Sequence, residues 1–461
     1  MIFAGADFVS VHRRLHQRWR LNHFFIAVWS AKEAESDHSN QTPMKKASFG
    51  PFHNDDEAGE NRPFERRKIK RPRIDYERNR RELCEYFEGR LARMEIVKTT
   101  TTPRGQSIDW IPIKSQHPQG RIATPPPKLV RPTRRRDDKR KDRIAIPELE
   151  IKGVERGPSG TVPVLRKKLE ALGYTRSLKR YLSKTRGHRL MRLGDQVYPA
   201  PEEDGAHRYA SSGQSILCFG GEGQLSCFDP YTESSDDFSL IQIGLSNNDL
   251  GFLQTVEAGW QEFQDLTGDW VPHLFTYYTT NGYSDDGDNK GGYNRDVDGW
   301  VQYDDSIFPG TTFTPYSTRG GGQFKITIKY QLWEGNWWFA CQGRWVGYYP
   351  ASLFMGNQSV FSTLGDHADH IGFWGEIFDS EDIAGRTASD MASGYFPNAG
   401  WTWSGYMHNL LAQTDRGGGL SNYDGSVEIY ESDPDMYGIE SHFNSGSSWE
   451  SYVYLGGPGA G

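Results

Sequence analysis

The sequence predicts an all-β fold for its C-terminal half, and three observations carry that prediction. From about residue 205 helical periodicity stops, and short β-branched and aromatic runs replace it: SILCF, FSLIQIGL, LFTYYTT, FKITIKYQLW, WWFACQGRWVGYYP, HIGFWGEIF, SVEIY and SYVYL. Clusters of Gly, Asn, Asp and Ser punctuate these runs, as turns punctuate strands. Helical patterns of about 10–15 residues do not alternate with them, which excludes a parallel α/β sheet. An antiparallel sandwich or barrel follows. Eleven of the 14 Trp lie in this half, so its strands carry large side chains to pack.

The N-terminal half reads differently. His12–His23 is basic, and Phe24–Ala31 is a short apolar run ending in small residues. This is a weak match to a secretory leader, and a misassigned start codon accounts for it equally well. Residues 32–74 are polar and charged with little periodicity and read as disordered, which makes 1–74 an N-terminus of disordered or unassigned character. Asp75–Val97 sets Tyr76, Leu83, Phe87, Leu91 and Met94 at helical spacing. IDWIPI at 108–113 is extended, and Thr124-Pro125-Pro126-Pro127 breaks any regular element. The run RRRDDKRKDR at 134–143 is first a solvated linker, second a processing site at Lys139-Arg140, and only third a nucleic-acid patch. Leu165, Leu169, Leu172, Leu178 and Leu182 suggest a second basic helix over Leu165–Leu182. The boundaries are therefore 1–74, 75–200 and 205–461.

Charge divides the chain at the same place. Residues 1–200 hold 44 Lys and Arg against 24 Asp and Glu, a net +20. Residues 201–461 hold 9 against 36, a net −27, so the overall −7 conceals two opposed halves. Such halves attract, although a soluble acidic domain beside an unrelated basic tail has the same signature. No stretch reaches the roughly 18 apolar residues that span a bilayer, and no aromatic-basic interleaving follows the charge run, so neither a membrane nor a nucleic acid is expected as a partner. Four cysteines are too few for a disulfide scaffold. Cys218 and Cys227 flank FGGEGQLS, which permits a cross-strand bridge or two free buried thiols.

The chemistry narrows to carboxylates. No G-x-S-x-G elbow, H-E-x-x-H motif, phosphate loop or dinucleotide fingerprint occurs. Asp366-His367-Ala368-Asp369-His370 has metal-binding residue types without a third anchored partner, and reads as a polar loop. Asp286-Gly287-Asp288-Asn289-Lys290-Gly291 starts like a calcium loop but puts Lys290 where an oxygen is required. Glu257 in TVEAGW and Glu376 in IGFWGEIF stand in apolar strands beside Gly and Trp. A carboxylate is seldom buried without a partner, so each is either functional or on a solvent face.

A set of blocks decides between these. In order they are Phe238–Gln242, Val256–Trp260, Leu274–Thr279 with Asn281-Gly282-Tyr283, Asn336-Trp337-Trp338, Val346–Pro350, Phe373–Ile377, Met391–Gly394 and Gly456–Gly459. Upstream stand GQSIDWIPIKSQ at 105–116 and GPSGTVPVLR at 157–166. Together they resemble the neprosin family, plant and microbial glutamic peptidases known for cutting after proline, with its activation peptide. The resemblance implies a two-layer, jelly-roll-like antiparallel β-sandwich preceded by a basic prosegment with short helices. It implies catalysis by Glu257 and Glu376, with Trp260, Trp374 and Tyr395 as candidate walls of the substrate cleft. It also implies a secreted monomer that acts at acid pH on peptides without metal or cofactor. Its own prosegment would cover the cleft near neutral pH and loosen on acidification. The family's G-C-Y-N-x-x-C pattern reads Gly291-Gly292-Tyr293-Asn294-Arg295-Asp296-Val297 here, and a later C-Y reads Met436-Tyr437, so both cysteines of the first bridge are gone. The rival readings are a glycan- or cell-wall-binding or inactive sandwich, and a two-glutamate glycoside hydrolase.

Overall fold

A computed structural model describes residues 73–127, 144–169, 178–182, 184, 190–193, 196–199, 206–249, 253–283, 291–355, 363–380 and 387–460. The leader-like segment, the 134–143 charge run, most of the Asp286–Gly291 loop and the sequon Asn357-Gln358-Ser359 lie outside these residues.

The basic half begins with the helix Arg73–Ala92. It stops short of the expected Val97 because the chain there has already joined a sheet: the Val97 N–H donates to the Trp110 carbonyl at 2.9 Å. Lys98–Thr101, Ser107–Pro112 and Thr161–Leu165 form a small antiparallel sheet, in which Ile108 faces Leu165. That pairing corrects the expected second helix. Val162 and Val164 favour a pleated strand, so Leu165 ends a strand, and among the described residues of the stretch helix is found at Leu178–Leu182. Trp110, Ile108 and Ile151 are buried with Phe308 of the C-terminal half, so the small sheet is docked on the larger domain.

Among the described residues, the C-terminal half builds two antiparallel sheets. Seven strands run in the order Gly291–Tyr293, His273–Thr279, Gln254–Glu262, Phe238–Asn247, Ala368–Asp379, Ala206–Cys218 and Glu428–Glu431. The second sheet runs Val301–Gln302, Arg344–Pro350, Asn336–Cys341, Lys325–Trp333, Gly220–Ser226, Gly405–Gln413, Tyr452–Gly456 and Gly438–His442, with Ser421–Asn422 paired to Gly405–Gln413. Ile241, Ile243, Val256, Ala258 and Trp260 of the first sheet share one core with Ile326, Ile328, Tyr330, Phe339, Met407 and Leu455 of the second. The alternation of strands decides which residues enter it: odd positions of Phe238–Asn247 turn inward and even positions turn to the outer face. The two-layer sandwich expected from the sequence is the architecture found.

Of the two readings of Cys218 and Cys227, the free buried thiols are found and the bridge is not. Cys218 closes a strand of the seven-stranded sheet and Phe219 carries the chain over to the other, where Gly220–Ser226 is itself a strand with Cys227 just beyond its end. The two thiols therefore do not face each other across a hairpin.

Candidate active site

Three neighbouring strands build the site by register. Glu257 on Gln254–Glu262 lies opposite Gly244 on Phe238–Asn247. On the other side of that middle strand, Glu376 lies opposite Leu240 and Trp374 opposite Gln242. Positions 240, 242 and 244 share a face, so the two glutamates sit diagonally across the middle strand with Gln242 between them. The Trp374 indole reaches over this strand because Gly244 has no side chain. A Cβ there would come 2.2 Å from the ring's Cη2 atom.

Both carboxylates are buried, Glu257 at 0% and Glu376 at 2% exposure. The cation they share comes from the basic half. The Lys184 ammonium lies 2.5 Å from Glu257 Oε2 and 2.8 Å from Glu376 Oε2, is itself buried, and stands 5.6 Å from the Trp374 ring centre. The Lys184 backbone N–H donates to the Tyr277 hydroxyl at 3.2 Å. Burial alone would lower the Lys184 pKa, but the two carboxylates outweigh it and raise it above the ordinary lysine value.

The two glutamates have different surroundings. Gln242 Nε2 donates to Glu257 Oε2 at 2.8 Å, and the Thr255 and Tyr283 hydroxyls donate to Oε1 at 2.8 and 2.5 Å. Burial and the Glu257 charge push the Tyr283 phenol well above its ordinary value, so it stays a donor. From behind, the Tyr330 hydroxyl in the core donates to the Glu257 backbone carbonyl at 2.9 Å. Glu376 Oε1 instead meets His207 Nδ1 at 2.8 Å, and Trp374 Nε1 donates to Oε2 at 3.4 Å. Burial would raise the Glu376 carboxyl, but the Lys184 charge and the His207 contact overcome it and bring it down to about 2.

The structure separates the three aromatic candidates. Trp374 is half-buried at the site. Trp260 is fully buried between the sheets, donating to the Ser226 carbonyl at 2.7 Å, and is core rather than cleft wall. Three positions from Glu257, it projects from the opposite face of the strand. Tyr395 lies outside the first sheet, its ring tilted against Trp403 and under Arg319, with its carbonyl against Gly456 of the second sheet. Lys184, His207, Gln242, Thr255 and Tyr283 complete the site, and of these Gln242, Thr255 and Tyr283 lie in the sequence segments singled out above. In the 366–370 segment Asp366 pairs with Arg416, Asp369 accepts from the Asn248 N–H and His370 meets Glu428, which are structural roles.

Solved structures with loose likeness to the chain include a Scytalido-glutamic peptidase bound to a peptide-based transition-state analogue. It aligns over 55% of this chain and 99% of its own, at 10% identity and a TM-score of 0.28. SCP-B, a member of the Eqolisin family of peptidases solved with the tripeptide Ala-Ile-His, covers 55% and 99% at 8% identity and a TM-score of 0.25. A glycoside hydrolase family 16 endo-glucanase from Bacteroides ovatus covers 42% and 73% at 12% identity and a TM-score of 0.24. Likenesses this loose transfer no residue roles. The sequence itself is more specific, because residues 235–458 match the family model described as Neprosin. That span contains both buried glutamates, Gln242, Trp374 and the middle strand that aligns them, and this part of the chain is therefore a neprosin domain of the glutamic-peptidase type.

Proposed function

We propose that the described state is the latent form of a secreted, acid-acting endopeptidase, and that Glu257 and Glu376 hydrolyse peptide bonds by general acid–base catalysis. The observation that carries this reading is the Lys184 ammonium shared by both buried carboxylates. Two carboxylates that can grip one nitrogen can also grip one water, or a water and the carbonyl it attacks. In this reading the ammonium stands in for that water until the basic half leaves.

With the lysine gone, two facing carboxylates repel, their titrations couple and one retains a proton in acid. Glu376, beside His207, is the base: it takes a proton from water as the water oxygen adds to the scissile carbonyl. Glu257 is the acid, donating to the carbonyl oxygen and then supporting protonation of the leaving nitrogen as the C–N bond breaks. Gln242 suits a neighbour that changes protonation state, because an amide donates to a carboxylate and, turned over, accepts from a carboxylic acid. Such acid–base help is worth roughly 10²–10⁴-fold in rate. Cleavage after proline is the family's expectation for this site, and a monomeric domain released from its own prosegment is the expected product. Among the described residues no helix is long and apolar enough to cross a membrane.

The test is cleavage of a proline-containing peptide library from about pH 3 to pH 7 by full-length protein after processing. Wild type, Glu257→Gln and Glu376→Gln are compared. Acid-dependent cleavage by wild type that both variants lose while remaining folded supports the reading. A folded, processed wild type that cleaves no peptide overturns it.

A further inference from the structure

The segment that delivers Lys184 also fills the ground next to the glutamates. Tyr181, three residues earlier, is 1% exposed. Its hydroxyl donates to the Leu266 carbonyl at 3.3 Å, Phe87 meets its ring edge-on at 5.5 Å, and Lys167 lies 5.4 Å from its centre. Leu83, Phe87 and Tyr181 form one apolar cluster with Phe263, Leu266, Phe275, Tyr277 and Tyr293 of the catalytic half. The backbone between Tyr181 and Lys184 is held close as well. The Leu182 carbonyl lies where a Cβ on Gly292 would approach within 3.0 Å of it.

All the basic-half members of this cluster leave together when the prosegment leaves. What remains is an aromatic face of the domain, continuous through Tyr277 with the strand pair that carries Glu257. A soluble protein that uncovers such a face on activation uses it for binding. The occupants now on it are Leu83 and Phe87 of the Arg73–Ala92 helix and, from the segment that carries Lys184, Tyr181, an aromatic residue three residues from the group held by the catalytic pair.

Resting on the peptidase reading, we propose that the Tyr181 pit is a substrate subsite. It takes a large aromatic or leucine side chain three residues from the substrate residue that meets Glu257 and Glu376. The prosegment thus rehearses the preferred peptide, with a lysine at the point where a scissile bond would be cut. Selectivity comes from this pit in addition to whatever residue adjoins the cleaved bond.

The test uses processed full-length protein and a peptide library randomised at four positions on each side of the cut. Tyr, Phe, Leu or Trp enriched about tenfold over Ala, Ser and Asp at one position two to four residues from the cut is expected. Robust cleavage with no apolar preference at any of those positions overturns the subsite while leaving the peptidase reading intact. If no peptide is cut, the peptidase reading fails and binding decides. A synthetic peptide of residues 176–188 should then bind nicked protein about tenfold more tightly than its Tyr181→Ala form, with Tyr181→Phe close to the parent. Equal binding of the three peptides overturns the pit as a recognition site.

Discussion

Gln254–Glu262 and Lys325–Trp333 are antiparallel strands of equal length in facing sheets, yet they are buried in opposite ways. Lys325–Trp333 alternates perfectly, with Ile326, Ile328, Tyr330 and Leu332 in the core and Lys325, Thr327, Lys329, Gln331 and Trp333 half-exposed. Gln254–Glu262 is buried at every position. Its inner residues Val256, Ala258 and Trp260 fill the core, while outer Glu257 and Gln261 meet Lys184, Gln242, Tyr283 and Tyr293. One strand is a partition between core and water. The other is a partition between core and the basic half, whose Lys184 lies against its buried carboxylate.

Four experiments break or sharpen this contrast. The largest effect belongs to the glutamates: Glu257→Gln or Glu376→Gln should lower kcat of the processed protein about 10²–10⁴-fold with little change in melting temperature. Retained turnover in either variant would remove that residue from the chemistry.

Next is the contact with the basic half. Lys184→Ala leaves two uncompensated buried carboxylates under the prosegment, which typically costs about 3–5 kcal/mol of docking. The unprocessed variant should therefore be active where the unprocessed parent is silent. The pH dependence sharpens this. Glu376 is depressed from 4.5 to about 2, so its contact with Lys184 is fully stabilising above the ordinary glutamate value and is lost as pH falls through about 2. Lys184 is raised, so the opposite limit lies above the ordinary lysine value. Bringing the protein from pH 7 to pH 4 should leave the latch closed unless the chain is also cut. Activity or prosegment release at pH 4 from an uncut chain, followed by gel filtration, would show that acid opens the latch by another route.

The two faces of Lys325–Trp333 give the smaller effects. Ile328→Ala should cost about 2–5 kcal/mol in urea unfolding, through lost transfer energy and a cavity. Gln331→Thr on the wet face should stay within about 0.5 kcal/mol. A large effect at Gln331 would mean that the second sheet is covered too.

Much of this was legible in the sequence. The strands announced themselves through β-branched and aromatic alternation, and both glutamates stood out as charges in apolar runs. The parity of a strand was legible as well: Trp374 is two residues from Glu376 and shares its face, whereas Trp260 is three from Glu257 and faces the core. Tyr395, on no strand, had no parity to read. His207 and Gln242 could not be found by local pattern, because their partners are set by strand order and register. Lys184 was one basic residue among many in its region, and only its burial distinguishes it. The expected Leu165–Leu182 helix failed where helical spacing of leucines competed with a β-branched run that had a sheet to join.

The place of the family's missing bridge has a practical consequence. Gly292 and Val297, which replace its two cysteines, are packed so closely that a Cβ on Gly292 would lie 2.6 Å from Val297 Cγ1, so a methyl group occupies the space between them. Burial also keeps the core thiols protonated, with Cys218 and Cys341 pushed up to about 12 and Cys227 raised well above its ordinary value. A thiolate is what alkylating agents and oxidants attack. The sandwich should therefore assemble in a reducing cytosol as readily as outside a cell, and millimolar dithiothreitol should leave its unfolding curve unchanged.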